Sequence, residues 1–288
     1  MKKIAVILSA ITLLITIQSC TEDINLNIVG DSGKIVIEGN IENGKYAEVI
    51  LTRNSPVSKQ LDFNSILVTN AQVYVSDGLT TDTLVLAIDS VSSIPLAYKG
   101  NSVIGVVGKT YYLTVIADGK TYTANTVIPT PVKLDSVWWK PEPDEGDSAG
   151  YAWAHLTEPA GYGNAYRWFA KRPTRDRRYI APFGASFDDK FIDGKSFEFY
   201  SLRGTDPTAN TEDPSELARL FKKTDTIYIK FCSTDVPVFR FYYSYETALQ
   251  SNGNPFASPT NVRTNISGGG LGVWAGFGAS YDTIYPKP

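Results

Sequence analysis

One histidine and two cysteines in 288 residues leave few parts for a Cys/His metal site or a histidine-dependent triad. The chain has no G-x-S-x-G, so serine hydrolysis would rest on His155 alone as base. No second histidine, usable cysteine or obvious carboxylate stands at ligand spacing from His155, which reads as a structural residue of an aromatic strand. Basic excess is also missing. Lys plus Arg is 27 against 30 Asp plus Glu, where a nucleic-acid binder needs a concentrated basic face. These shortages lead us to expect no enzyme activity, no cofactor, no metal and no nucleic-acid partner. What is abundant points to strands: 17 Tyr, 13 Phe and 5 Trp, punctuated by 23 Gly and 16 Pro. With 43% hydrophobic and 20% charged residues the chain can bury a core, and its length suggests about two domains.

Lys2 and Lys3 precede an apolar run from Ile4 to Ile17, too short to span a bilayer comfortably as a mature helix. The run ends at Gln18-Ser19-Cys20, a small residue directly before cysteine, and resembles a bacterial lipobox. The alternative is an ordinary signal peptide that happens to contain a cysteine. On the lipobox reading residues 1–19 are removed and the sulfur of Cys20 carries a diacylglycerol. Each buried acyl CH₂ contributes about 0.8 kcal/mol, so two or more chains make a stable anchor. Thr21-Glu22-Asp23 resembles a short surface-export signal, which places the body on the outer face of an outer membrane. Residues 20–33 are the tether. Cys232 is left without an internal partner and reads as a buried, inert thiol among Ile229, Phe231 and Phe239.

Period-2 patterning begins at Lys34. Strands are expected around Ile35 and Ile37, at Ala47 to Arg53, at Val73 and Val75, and at Thr83 to Ile88. The clearest signal is Thr110 to Val127, two alternating runs joined by Asp118-Gly119, a pair that tolerates positive φ at both positions. Residues 34–129 thus read as an immunoglobulin- or fibronectin-like β-sandwich. Pro129-Thr130-Pro131 then acts as a stiff linker. Residues 130–288 read as a larger β-rich domain, sandwich- or barrel-like, with one short helix. Strands are expected at Val132 to Trp139, Tyr151 to Leu156, Ala165 to Lys171, Ser196 to Leu202 and Thr226 to Cys232. The helix is placed from the Asp213 cap and Pro214 through the apolar stripe Leu217, Leu220 and Phe221 to Lys222 and Lys223. Val238 to Leu249 is read as a strand turning into a short helix. Asn261 to Ile266 and Leu271 to Tyr285, around Gly268-Gly269-Gly270, are read as a glycine-turned hairpin.

Several of these residues carry a family resemblance. They are Asn254-Pro255-Phe256-Ala257-Ser258-Pro259-Thr260-Asn261-Val262, Asn265-Ile266-Ser267-Gly268-Gly269 and Leu271-Gly272-Val273-Trp274-Ala275-Gly276-Phe277-Gly278. With Ile37-Glu38-Gly39, Leu134-Asp135-Ser136 and Asn164-Ala165-Tyr166-Arg167-Trp168, the chain resembles the domain-of-unknown-function 4249 family of Bacteroidota lipoproteins over essentially all of its mature length. Genes of that family often accompany TonB-dependent receptors of the outer membrane. The resemblance therefore implies a noncatalytic accessory lipoprotein that assists nutrient capture or import. It carries over no catalytic residue.

The remaining constellations are weighed on their chemistry. Trp138-Trp139 and Tyr242-Tyr243 each direct one ring to either face of a strand, and Trp139 and Tyr243 are taken as the outward members. Trp274 shares its parity with Gly272, Gly276 and Gly278, which either pack internally or form a ledge for a partner. Arg172, Arg175, Arg177 and Arg178 form the basic cluster; Arg175, Arg177 and Arg178 are candidate contacts for an anionic partner. Asp144, Glu145 and Asp147, like Asp188, Asp189 and Asp193, lack the spacing of a calcium loop and read as solvated. The candidate contacts leave two alternatives to receptor assistance: a glycan- or peptide-binding module, and an adhesion or envelope-assembly lipoprotein. The lipobox reading is checked by intact mass spectrometry. The mature chain is expected to begin at Cys20 with a diacylglyceryl thioether, and Cys20→Ser to abolish the lipid.

Overall fold

A computed structural model describes residues 33–55, 63–89, 95–143, 148–205, 219–251 and 260–285. Cys20, the signal segment and Asp144, Glu145 and Asp147 lie outside them, as do Asn254 to Pro259 and most of the helix expected from Asp213.

Alternation of apolar and polar residues yields seven strands in the first half: β1 (Ile35–Glu42), β2 (Tyr46–Arg53), β3 (Gln72–Ser76), β4 (Thr81–Ile88), β5 (Leu96–Ile104), β6 (Thr110–Ala117) and β7 (Lys120–Val127). A single turn, α1 (Phe63–Ile66), lies between β2 and β3. Asp118 and Gly119 take φ of 51° and 71° between β6 and β7, the turn that their residue types favour. Leu113 and Val115 are buried on β6, while Tyr112 on the opposite parity is exposed. The second half supplies β8 (Ser136–Pro141), β9 (Ala149–Thr157), β10 (Ala165–Lys171), β11 (Ser186–Asp188), β12 (Ser196–Ser201), β13 (Phe221–Lys222), β14 (Ile227–Thr234), α2 (Val236–Ser251) and β15 (Leu271–Ile284).

Eleven strands join in the order β11-β10-β14-β15-β1-β2-β5-β4-β3-β6-β7, and β8, β9, β12 and β13 form a second sheet. The fold is all-β and sandwich-like, with no closed barrel. The long sheet doubles back, so that the end of β7 lies against β15. A Cβ at Gly276 would stand 2.3 Å from the Val127 carbonyl oxygen, and one at Gly278 would stand 2.1 Å from that of Pro129. Glycine is required there because another backbone occupies the side-chain space. Residues from Ser32 onward form one compact unit. β15 pairs in parallel with β1 through Leu271 to Phe277, then antiparallel with β14 through Gly278 to Ile284. One apolar cluster fills the first half and takes in Trp274, and a second fills the other half and takes in Ile284.

Three expectations are corrected. First, the helix expected to run through Lys223 does not reach Phe221. That residue is fully buried on β13 opposite Gly150, and Arg219 before it has φ of 55°. Burial of a phenylalanine at a sheet edge outweighs its place in an apolar stripe. Second, Val238 to Leu249 is helical throughout. Asp235 caps α2, its Oδ1 accepting from the Val238 amide at 3.0 Å, and Pro237 sits in the first turn. Third, there is no C-terminal hairpin. Asn261 to Asn265 form no strand, and the Asn265 side chain clamps the Trp274 backbone at 3.0 Å and 2.8 Å instead.

A buried acid fastens the junction of β1, β14 and β15. Glu42 is 3% exposed and meets Lys45 at 2.8 Å, Lys230 at 3.4 Å and the Tyr281 hydroxyl. Burial pushes its carboxyl up, but Lys230, Lys45 and Tyr281 outweigh burial and hold it below its ordinary 4.5. Its contribution to stability is therefore complete above pH 4.5 and lost as pH falls through the lower folded value. Glu42→Gln is expected to cost roughly 3 kcal/mol at pH 7, because it strands the buried Lys230 ammonium. Thermal unfolding followed by circular dichroism between pH 3 and 7 checks this, with a shallower acid limb expected in the variant.

Candidate functional site

The six expected contact residues do not converge on one surface. Trp274 is fully buried and donates its indole N–H to the Tyr111 carbonyl at 3.0 Å, so it belongs to the core and forms no ledge. Trp139 is also corrected. It pairs with buried Ala152 on β9, packs against the second core, and donates Nε1–H to the Phe221 carbonyl at 3.1 Å. The outward member of that doublet is Trp138. Arg175 and Arg177 are exposed on the segment after β10, and Arg178 is half-buried. Arg172 is buried and turned inward, forking onto Asp176 with Nε 3.0 Å from Oδ2 and Nη2 2.7 Å from Oδ1.

Tyr243 stands where it was expected, 58% exposed, but on helix α2. Beside it Phe239, Phe187, Phe191, Phe197 and Phe199 line an open groove of about 630 Å³, with Asp188 and Lys190 at the rim. Phe191 projects from a 3-10 turn at 76% exposure. The helix is held to the sheet by a buried pair: Arg167 Nη1 lies 3.0 Å from Glu246 Oε1, with the guanidinium 3.6 Å above the Tyr242 ring. Burial pushes the Glu246 carboxyl up, against the opposing pull of Arg167. Exposed rings thus stand on a rigid support.

A second surface is the outer face of β8, β9 and β12. Even positions of β9 (Ala152, Ala154, Leu156) are buried, which turns the odd ones outward. Trp138, Trp153 and Tyr200 lie side by side across the three strands by register. Their ring centroids are 6.1 Å and 5.4 Å apart, and Tyr151 stands 4.6 Å from Tyr200. Lys140 Nζ caps the Trp153 ring at 4.7 Å. The next row is polar: Ser136, His155 and Glu198 are register partners. His155 Nδ1 is 3.0 Å from Asp135 Oδ2, and Nε2 is 3.2 Å from Ser196 Oγ. Hydrogen bonds from Thr157 first, and then from His155, hold the Asp135 carboxyl below its usual range.

Serine, histidine and aspartate therefore do meet, although spacing along the chain gave no hint of it. Their setting is an open strand face, with His155 and Asp135 side chains 34% and 46% exposed. Thr157 Oγ1, 3.0 Å away, shares the Ser196 hydroxyl. Amides in a strand lie in the plane of the sheet, whereas the hydroxyl stands off it. What the string does is fix the orientation of His155.

Asp189, buried rather than solvated as expected, and Asp193 serve the loops. Asp189 accepts from the amides of Gly163 at 2.7 Å and Asn164 at 2.8 Å, and Asp193 accepts from that of Gly161 at 2.6 Å. Among the described residues no group of three or more His, Cys, Asp or Glu could hold a metal ion. Cys232 is free and fully buried, and burial pushes its thiol up to about 12. In Cys20→Ser protein, where Cys232 is the single thiol, a disulfide reagent at pH 8 is expected to react only after denaturant is added. The absorbance of the released thiolate measures it.

The strand faces, the groove and the buried fastenings belong to one continuous architecture, and one family describes it. The model of a family described as Domain of unknown function (DUF4249) matches residues 21–281. No curated protein matches the chain. The family match takes in every strand from β1 onward and ends within β15, and the chain belongs to the DUF4249 family.

Proposed function

We propose that the chain is a noncatalytic, lipid-anchored protein of the outer-membrane surface, an accessory to a TonB-dependent receptor that assists nutrient capture or import. The observation that carries this reading is Cys20, which closes a short apolar run behind two lysines immediately before the family match begins at residue 21. The resemblance to lipoproteins that accompany such receptors supplies the partner. The groove beside α2 supplies a place for it. Phe191 and Tyr243 are large rings held out to solvent on ordered elements, and such rings dominate contacts when a partner covers them.

Affinity purification of the detergent-solubilised chain tests the reading. A β-barrel receptor is expected in the eluate, and Phe191→Ala with Tyr243→Ala is expected to lower its recovery at least tenfold. Recovery of the chain with no barrel partner counts against the proposal.

A further inference from the structure

We infer that the outer face of β8, β9 and β12 binds glycan, in a site formed by Trp138, Trp153, Tyr151, Tyr200, Ser136 and Glu198. This goes beyond receptor assistance and does not depend on it.

The face carries two kinds of row in register. Its aromatic row runs Trp138–Trp153–Tyr200 across three strands. Neighbouring strands are about 4.8 Å apart, so the rings repeat on the scale of one sugar unit. The polar row Ser136–His155–Glu198 runs parallel to it one step along the strands. A pyranose ring has the matching division, with apolar C–H faces and a rim of hydroxyls that both donate and accept. Stacking takes the first, and the exposed Ser136 hydroxyl and Glu198 carboxylate take the second.

Competing ligands fit less well. An acyl chain or a bilayer requires a continuous apolar patch, and here the aromatic row borders charge. Lys140 on one side with Glu198 and Asp135 on the other give no excess of positive charge for a polyanion. An extended peptide is read chiefly through the backbone groups of a sheet edge, whereas these features stand on a face.

Native electrophoresis of the purified chain through gels containing soluble starch, xylan, mannan or mixed-linkage β-glucan tests the inference without any receptor. Retardation is expected in at least one gel. Trp153→Ala is expected to raise the apparent Kd at least tenfold, and Tyr112→Ala, on the distant strand β6, to leave it unchanged. Tyr200 is 53% exposed, so Tyr200→Ala carries the test should Trp153→Ala fail to fold. Normal mobility in all four gels overturns the inference, as does retardation that survives both substitutions. Selection of peptides from a displayed library, with binding lost in the same variants, would overturn it in favour of a protein partner.

Discussion

The backbone of Leu271–Ile284 has to be satisfied on both sides, and the rest of the molecule is arranged to do this. One edge pairs with β1, the first strand, and the other with β14. Asn43 repeats the link with its side chain, accepting from the Ala279 amide at 2.6 Å across 236 positions of sequence. Contacts of such range close late, because the loop between the partners must be ordered first. Neither half of the long sheet is complete until the last strand is in place. The first apolar cluster needs Trp274 and the second needs Ile284, both on that strand.

One face of this shared strand, Val273, Ala275, Phe277 and Ala279, clusters with Val238 of α2, and its other face must be screened from water without a helix. The end of β7 does this through polar contacts. Thr126 Oγ1 accepts from the Gly276 amide at 2.8 Å and donates to Asp235 at 2.8 Å. Asp235 also takes the Val127 amide at 3.1 Å and caps α2. One carboxylate therefore sets where the sheet turns back and where the helix starts. Glu42 and Arg167 play comparable parts further along, each buried, each paired and each reached from more than one strand or helix. Buried ions give little net stability, but removing one partner is costly.

These features explain which parts of the fold were legible in the chain. Local ones were. The Asp118-Gly119 turn follows from two residues that tolerate positive φ, and Ala165 to Lys171 is a strand with the bounds that its aromatic pattern suggests. Non-local ones were not. Phe221 fits a helical stripe as well as an edge strand, and only Gly150, 71 positions away, decides the matter. Val238 to Leu249 is rich in rings and branched side chains, which favour strands, and the cap that overrides them is an aspartate one turn earlier. β5 carries no clear alternation, because Lys99, Gly100, Asn101 and Ser102 interrupt it. In the fold that stretch is fixed by Asp82, whose Oδ2 takes the amides of Asn101, Ser102 and Val103.

The candidate surfaces show the same division at the level of single side chains. In a doublet such as Trp138-Trp139 the period of two says that one ring faces the core, and nothing local says which. The answer lay on the partner strand, where Ala152, Ala154 and Leu156 are small or apolar and Tyr151, Trp153 and His155 are not. Pairing Trp139 with Ala152 gives the larger ring room beneath the sheet, and this sends Trp138 out beside Trp153. Reversing the register by one residue would bury His155, Glu198 and Lys140 together, leaving charges without water. The aromatic face is therefore a consequence of where this sheet can afford to put its charges. An inward Trp139 and an outward Trp138 are two readings of that one constraint.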